Sequence, residues 1–277
     1  MVTGADDDHC PPGKVRTHDQ NVNVGIPKHW GVTGGKECEQ SLEALCNAAQ
    51  TIYRGHDPLI QALAMHYHFA SMHPFLDGNG RSARALEALM LQRTGLRDSL
   101  FIAMSNFYYE EKNAYLETLA KVRYLNHDLT RFLQLGLKGI ELQCRRLFLE
   151  IRTHLAKALY RNMAFDFFNR LKTPKRRAMT GRQMEILKLL LEEETMLLKD
   201  LTQRTHHVYQ VKNPYVALLR DLNELISLQA IGYDKLPEHQ FRMKINLEWP
   251  TQITETDFFK KIKSMPKAKT LSFLSTS

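Results

Sequence analysis

The stretch HPFLDGNGRSAR, residues 73–84, concentrates side chains that can do chemistry within twelve positions of the chain. The imidazole of His73 titrates near neutral pH and can serve as a general base. Asp77 supplies a hard carboxylate of the kind that Mg²⁺ accepts beside phosphate groups. Arg81 and Arg84 carry guanidinium groups that match phosphate oxygens. A base, a metal ligand and an anion clamp in one loop predict chemistry on a phosphorylated substrate.

The residues around Asn79 predict how phosphate groups approach this loop. Gly78 and Gly80 carry no side chain that would keep an anion away from the backbone, and Asn79 adds an amide donor. A helix is expected to begin near Arg81, and its free N–H groups and dipole favour a bound anion. The set predicts base-assisted attack of a hydroxyl on a magnesium-bound phosphoryl group, with the developing charge held by the loop.

The string DGNG also begins like a calcium-binding loop. Arg81 stands at the fifth position and Ser82 at the sixth, where such a loop needs an oxygen ligand and a glycine. This excludes a calcium loop. A structural turn with polar residues placed by chance does not call for a histidine, an acid and two arginines together, so the functional interpretation is favoured.

Helices are predicted on both sides of the loop from apolar residues at three- and four-residue spacing. The preceding segment, DPLIQALAMHYHFASM, places Asp57 as its N-cap and Pro58 at its first helical position. The following segment, RSARALEALMLQRTG, is expected to stop at Gly95. Before them, VNVGIP and the turn residues after it predict a small β-hairpin.

Other residues of this region are interpreted as structural. His66 and His68 stand two apart on a predicted helix and face different sides, which indicates core or boundary histidines rather than a metal site. The pair Tyr108 and Tyr109 indicates packing between helices. Apolar methionines are interpreted as core filling, namely Met65, Met72, Met90 and Met104.

The loop resembles the signature of Fic-domain proteins, H-x-F-x-D-G-N-G-R-x-x-R, with every specified position filled. The resemblance covers about residues 13–135: GKVR ahead of VNVG is similar to the lead into the family's hairpin flap, and NAYLETLAKVR with DLTRFL to the helices after its active loop. It implies a mainly α fold, a Fic-type helical domain with a small β-hairpin flap. A winged helix-turn-helix is a common companion and is expected to follow.

The resemblance implies a protein adenylyltransferase, which transfers AMP from ATP to a Ser, Thr or Tyr hydroxyl of a target protein and releases pyrophosphate. By this resemblance His73 is the general base and Asp77 holds Mg²⁺. The residues implied to bind the nucleotide are Gly78, Asn79, Gly80, Arg81, Arg84 and Tyr115. Those implied to form the flap, which aligns a target side chain by strand addition, are Val22, Asn23, Val24 and Gly25.

Departures from the family pattern leave other activities open. A kinase-like branch carries a lysine at the position of Gly80, so Gly80 favours AMP transfer over phosphate transfer. Removal of AMP ranks lower, because it needs the glutamate of an inhibitory S/T-x-x-x-E-G/N helix, and the sequence holds no such string. The family's usual N-terminal helices are expected to be missing here. Self-modification and a separate inhibitor protein are among the expected interactions.

The C-terminal third is predicted to be a separate domain. Residues 170–277 hold 19 Lys and Arg against 12 Asp and Glu, which accounts for most of the net charge of +8. The sequence predicts a catalytic domain over 1–171, a linker over 172–181, a winged helix-turn-helix over 182–250 and a tail over 251–277. Asn213 and Pro214 are expected to start the third helix of the winged unit.

The charge of this third leaves two kinds of partner open, DNA and protein. Arg220, Arg242 and Lys244 are placed to meet DNA phosphates, whereas winged helices equally often dock proteins. The alternative function is therefore a DNA-binding regulator whose helical domain senses a nucleotide.

Composition bounds the remaining possibilities. The chain has 277 residues, of which 43% are hydrophobic and 25% charged, as in ordinary globular proteins. It shows no signal peptide and no apolar run near the ~20 residues that cross a bilayer, so a cytoplasmic protein without membrane contact is expected. The four cysteines form no CxxC pair, which indicates reduced thiols rather than a zinc site or disulfides.

Overall fold

The computed structural model describes residue 11 and residues 13–92, 99–171 and 174–264. The chain divides into two compact units, Met1–Phe148 and Leu149–Ser277. The structure is mainly helical with two small sheets, as the sequence predicts. Within the described residues, no helix is long and apolar enough to cross a membrane.

The N-terminal unit opens with the predicted hairpin. Strand β1 (Asn23–Val24) pairs antiparallel with β2 (His29–Trp30), and Asn23 faces Trp30 in the register. The helices that follow are α1 (Lys36–Gln50), a 3-10 turn (Ile52–Gly55), α2 (Pro58–Met72), α3 (Asn79–Gln92), α4 (Ser99–Glu110), α5 (Lys112–Tyr124) and the start of α6 (Thr130–Asn169). The predicted stop at Gly95 lies outside the described residues.

Helix α2 forms the centre of this unit, and its start is the one predicted. The Asp57 carboxylate accepts a hydrogen bond from the Leu59 N–H at 2.8 Å, and Pro58 occupies the first helical position. Most of the helix is buried on all sides, so its apolar residues do not form a single stripe. The predicted core methionines are confirmed, since Met65, Met72, Met90 and Met104 are all buried.

The C-terminal unit has its own core, which takes in the end of α6. It contains α7 (Pro174–Glu193), β3 (Thr195–Leu197), α8 (Leu198–Thr205), α9 (Pro214–Ser227), β4 (Ile231–Lys235), β5 (Phe241–Ile245), α10 (Trp249–Gln252) and α11 (Glu255–Ser264). The predicted pair β4 and β5 is antiparallel, and β3, which the sequence analysis missed, pairs with β5 to give the order β3-β5-β4.

Two predicted boundaries differ from those of the structure. Residues 174–181 of the expected linker belong to α7, and the boundary between the units falls instead inside α6. The physical reason is the core: Tyr160, Ala164 and Phe167 of α6 are buried in the C-terminal cluster. The expected tail is also partly folded, because the fully buried Phe258 of α11 packs against Phe167 with ring centroids 5.0 Å apart.

The start of α9 is as predicted in position but not in capping. Asn213 is the N-cap residue and Pro214 stands in the first turn, yet the Asn213 side chain makes no capping hydrogen bond. What joins α9 to α7 is a buried polar contact, in which the Arg182 guanidinium donates to the Asp221 carboxylate at 2.8 Å. Tyr209 donates to the same carboxylate at 2.9 Å. The Gln183 amide of α7 also donates to the Glu224 carboxylate of α9 at 2.8 Å, so polar contacts link the two helices at more than one point.

Candidate active site

His73 is the C-cap residue of α2, and main-chain contacts orient its imidazole. Its backbone is left-handed, with φ 56° and ψ 60°, and its N–H donates to the Phe69 carbonyl at 3.1 Å. The ring Nδ1 lies 3.0 Å from the Ala70 carbonyl, which can only accept, so Nδ1 carries the proton. The neutral ring then keeps its lone pair on Nε2, which is the atom that a general base needs.

The surroundings of His73 keep the imidazole neutral. Burial is the main cause that lowers the pKa of His73, and the positive charge of Arg16 and the His29 imidazole act in the same direction. The hydrogen bond to Ala70 and the charge of Asp77 oppose the shift. The pKa therefore lies below the usual histidine value of 6.5, and the ring is unprotonated at neutral pH.

The carbonyl of His73 is held by Arg16, whose side chain is only 2% exposed. Arg16 Nε donates to the His73 carbonyl at 2.7 Å, Nη1 to the Gln20 carbonyl at 3.1 Å and Nη2 to the Met72 carbonyl at 3.2 Å. Nη2 also donates to the Val32 carbonyl. One guanidinium thus joins the end of α2 to the segments on both sides of the β1–β2 hairpin.

The loop after His73 is closed by Asn79. The Asn79 side chain accepts from the Phe75 N–H at 2.9 Å and donates to the Phe75 carbonyl at 2.7 Å, and the residue is 3% exposed. The amide thus closes the loop, and Asn79 as a phosphate donor stays a prediction, to which the first turn of α3 adds its main-chain N–H. Phe75 packs against the core of this unit, with its ring 6.0 Å from that of Phe69.

The loop leads into α3 in a geometry suited to an anion. Gly78 has φ 80°, a left-handed conformation that glycine adopts readily. Its carbonyl accepts the N–H of Ser82 at 2.9 Å, so α3 begins at Asn79 rather than near Arg81. The N–H groups of the first helical turn have no acceptor within the helix. A Cβ at Gly80 would lie 3.3 Å from Arg84 Nη1, which places that guanidinium against the same turn.

Asp77 and Arg81, predicted as metal ligand and phosphate donor, pair with each other at 2.9 Å. Both side chains are exposed, at 68% and 52%, and such a surface pair contributes about 0.5 kcal/mol or less. A ligand can therefore replace it at little cost. Within the described residues, no group of three or more His, Cys, Asp or Glu could hold a metal. A single carboxylate fits Mg²⁺, which often takes one or two protein ligands and completes its shell with phosphate and water.

A cavity of about 460 Å³ opens beside the arginines of α3. This size is within the range of small-molecule sites. Residues from α3, α4 and α5 line it: Arg81, Arg84, Ser105, Asn106, Tyr108, Tyr109, Lys112, Tyr115 and Leu116. The structure thus gathers the predicted residues Arg81, Arg84 and Tyr115 around one hollow, which combines three cationic side chains with three aromatic rings.

The hairpin lies next to α5 through a main-chain contact. The Ile26 N–H, just after the predicted flap residues, donates to the Leu116 carbonyl at 3.1 Å, and the Val22 carbonyl accepts from Gly31 at 3.2 Å. Val24 and Gly25 are buried, whereas Asn23 is exposed. The outer edge of β1 has no strand beside it in the two-stranded sheet.

The structure adds residues that the sequence analysis missed or assigned otherwise. Tyr108 is buried, as the packing interpretation requires, but Tyr109 is 81% exposed and lines the cavity. Lys112 lines it too. Arg16 could have been noticed only as part of GKVR, since a lone arginine before a polar segment suggests a surface residue.

Comparisons with known proteins find the same family that the loop sequence resembles. Residues 7–91 match the model of the Fic/DOC family. Protein adenylyltransferase fic-1 of Caenorhabditis briggsae is 49% identical over 88 residues, which are 32% of this chain and 17% of that protein. The chain thus spans less than a fifth of this curated relative. The Fic/DOC domain predicted from the loop is confirmed for the matched part of the chain, which includes His73 and Arg84 but not Tyr115.

Among solved structures, a Fic family protein from Desulfovibrio desulfuricans G20 is similar over 83% of this chain and 62% of that chain. The TM-score is 0.43 and the sequence identity 16%, so the likeness is weak.

Arg16→Met is expected to loosen the site. It leaves carbonyls in the hairpin and at the end of α2 without their donor, and each lost partner costs about 1–3 kcal/mol. Hydrogen–deuterium exchange followed by mass spectrometry is expected to show faster exchange over residues 20–35 and 72–80. Lys14→Met, a change at an exposed cation two residues away, serves as the control. Unchanged exchange in Arg16→Met would mean that the guanidinium is not the anchor.

The protonation of His73 can be measured directly. Because burial lowers its pKa, the imidazole is expected to titrate below pH 6.5 and to stay neutral above it. Histidine-selective NMR resolves the titration, and comparison with His73→Gln identifies the signal. A His73 midpoint at or above pH 6.5 would contradict the role of burial.

Proposed function

We propose that this chain transfers AMP from ATP to a hydroxyl side chain of a target protein. One observation carries the proposal: His73 donates from Nδ1 to the Ala70 carbonyl at 3.0 Å, which leaves Nε2 as a neutral base beside an anion-binding helix start. The cavity beyond Arg84 joins cationic side chains to aromatic rings, which suits a triphosphate attached to a flat base. The confirmed Fic/DOC domain and the adenylyltransferase relative point to the same reaction.

In the proposed reaction, His73 Nε2 takes the proton of the attacking hydroxyl. The hydroxyl oxygen bonds to the α-phosphorus, the bond from this phosphorus to the bridging oxygen breaks, and pyrophosphate leaves. Negative charge on the α-phosphate is held by the first N–H groups of α3 and by Arg81, while Arg84 meets the terminal phosphate. Because the N–H groups of the helix start are fixed before the substrate binds, the backbone needs little reorganisation in the transition state.

Asp77 is the residue that would hold Mg²⁺. Its exposed carboxylate stands beside the arginines proposed to bind phosphate, and its pair with Arg81 can be exchanged for the substrate at little cost. When bound, Mg²⁺ would neutralise charge on the phosphate oxygens. The protein's contribution to this site is the Asp77 carboxylate, which lies at the edge of the proposed anion site.

The acceptor is proposed to be a Ser, Thr or Tyr hydroxyl in an extended segment. Such a segment can add to the outer edge of β1, formed by the proposed flap residues Val22, Asn23, Val24 and Gly25. The hairpin is fixed at one end by Arg16 and at the other by the Ile26 contact to Leu116. Self-modification and control by a separate inhibitor protein belong to the same proposal.

Two related activities share these residues and stay as alternatives. A phosphotransferase would bind the nucleotide in the reverse direction, and Gly80 speaks against it by the family pattern. Removal of AMP would need a glutamate that positions water, as in the inhibitory motif absent from this sequence.

The C-terminal unit is proposed to be a winged helix-turn-helix that docks a protein rather than reading DNA. The order of α7, β3, α8, α9, β4 and β5 supports this proposal, with α9 as the proposed recognition helix. The exposed residues at its start are largely apolar, Tyr215 and Val216, with Val211 before them. Lys244 of the wing pairs with Asp234, and Arg204 with Glu193, which reduces the charge available to phosphates.

The reaction is tested by labelling with [α-³²P]ATP and Mg²⁺. Wild type is expected to label itself or a protein partner, and His73→Ala to label about 10²–10⁴-fold more slowly because it lacks the base. His127→Ala, a change at an exposed histidine, is the control. With [γ-³²P]ATP no label should be transferred. Label from the γ-phosphate alone would establish a phosphotransferase, and equal labelling by His73→Ala would reject the base.

The DNA alternative makes a prediction that the docking proposal does not. If the full chain reads DNA, a gel shift must weaken steeply as salt rises and must be reduced in Arg220→Ala and Arg242→Ala. At about 150 mM salt we expect no specific complex with DNA duplexes of random or selected sequence. Non-specific contacts to phosphates are weak at this salt concentration. A salt-sensitive complex that depends on both arginines would instead support the regulator.

A further inference from the structure

A buried polar network lies behind the cavity, and the proposed reaction makes no use of it. It joins four side chains from α2, α3, α4 and α5 that are 9% exposed or less, namely His66, Glu87, Tyr108 and Tyr115. Tyr108 and Tyr115 also line the cavity. The network therefore connects a carboxylate in the core to two walls of the proposed nucleotide site.

The hydrogen bonds of the network run from the two tyrosines toward Glu87. Tyr108 donates its O–H to Glu87 Oε2 at 3.0 Å, and His66 Nδ1 contacts the same oxygen. The Tyr115 hydroxyl lies 3.0 Å from His66 Nε2. Because the carboxylate can only accept, His66 donates from Nδ1 and accepts the Tyr115 O–H at Nε2. Both phenols thus act as donors toward the core.

Both tyrosines keep their protons at neutral pH. Burial is the main cause that raises the pKa of Tyr108 and of Tyr115, and the negative charge of Glu87 adds to it in each case. Their hydroxyls are therefore permanent donors that point to Glu87 and His66. The cavity is left with the aromatic rings, which offer stacking surface rather than hydroxyl groups to a ligand.

Glu87 itself is expensive to bury. It is 1% exposed, and its second oxygen, Oε1, is buried without a hydrogen-bond partner in the described structure. A buried acceptor without a partner is unfavourable, so this second oxygen adds nothing to the stability of the fold. Arg84 stands three residues earlier on α3, hence on the same face of the helix, and lines the cavity.

We propose that Glu87 is a positioning residue of the nucleotide site: it fixes the rings of Tyr108 and, through His66, of Tyr115 so that the cavity holds a flat heteroaromatic base by stacking. The nature of the ligand, a nucleoside triphosphate, rests on the proposed function. The positioning itself rests on the hydrogen bonds within the network. Glu87 does not line the cavity and acts only through the tyrosines.

The test measures ATP affinity by calorimetry on the full chain, with Mg²⁺ and without an acceptor. Glu87→Met, of similar volume and apolar, is expected to weaken binding about tenfold, as for the loss of hydrogen bonds to a charged group. Glu87→Gln keeps one acceptor oxygen and is expected to recover part of that affinity. In the labelling reaction, KM for ATP should rise in Glu87→Met while kcat changes little, because His73 is untouched.

A matched set of tyrosine variants separates positioning from direct contact. Tyr108→Phe and Tyr115→Phe each remove a hydroxyl that points to the core and should weaken ATP binding. Tyr124→Phe, at an exposed ring of α5 that does not line the cavity, should leave it unchanged. When both buried tyrosines are Phe, Glu87→Met should cause little further loss, because its partners are gone. Additive losses, or unchanged affinity in folded Glu87→Met, would overturn the proposal.

Failure of the two proposals gives different results. Wild type that binds ATP without transferring its α-phosphate rejects the proposed reaction, and the affinity series then still decides the role of Glu87. Wild type that neither binds nor transfers overturns both. Circular dichroism melts identify a variant that does not fold. If Glu87→Met does not fold, ATP affinity is measured instead in the variant that carries both Tyr108→Phe and Tyr115→Phe. Unchanged affinity in that variant overturns the positioning role.

Discussion

The candidate site depends on one buried guanidinium. Arg16 is 2% exposed, and its hydrogen bonds go to main-chain carbonyls of Gln20, Val32, Met72 and His73. A planar group with five fixed donors can join backbone segments from different directions, which an ammonium group cannot do in the same way. The left-handed turn at His73 and the path of the hairpin are set by this contact.

Around this anchor the site separates two electrostatic environments. His73 is partly buried and its pKa is lowered, so its imidazole is neutral, whereas the cavity is lined by the basic side chains of Arg81, Arg84 and Lys112. A protonated imidazole could not accept a proton, and a neutral anion site would not hold a triphosphate. The left-handed end of α2 and the start of α3 place these opposite requirements a few residues apart on one loop.

The interior behind the cavity contains polar groups that stability alone does not explain. Glu87 and His66 lie in the core of the N-terminal unit, as Asp221 does in the C-terminal unit. Asp221 has Arg182 and Tyr209 as partners and joins two helices, so a structural role accounts for it. Glu87 keeps one oxygen without a partner and supports two rings of the proposed nucleotide site, which points to binding rather than folding.

The sequence by itself determined where the helices around the loop lie and which family the loop matches, because capping residues, apolar spacing and the twelve-residue motif are local. Asp57 and Pro58 start α2 where predicted, and residues 73–84 lie in the confirmed Fic/DOC match. Only the tertiary structure showed that Asn79 closes the loop, that Arg16 anchors it and that α6 supplies core to the C-terminal unit. Glu87 had a faint signal, since it falls on the buried face of α3 with Ala83 and Met90. Its direct partners His66 and Tyr108 each stand 21 residues away along the chain, and Tyr115 reaches it only through His66. Periodicity in one helix carries no information about such contacts.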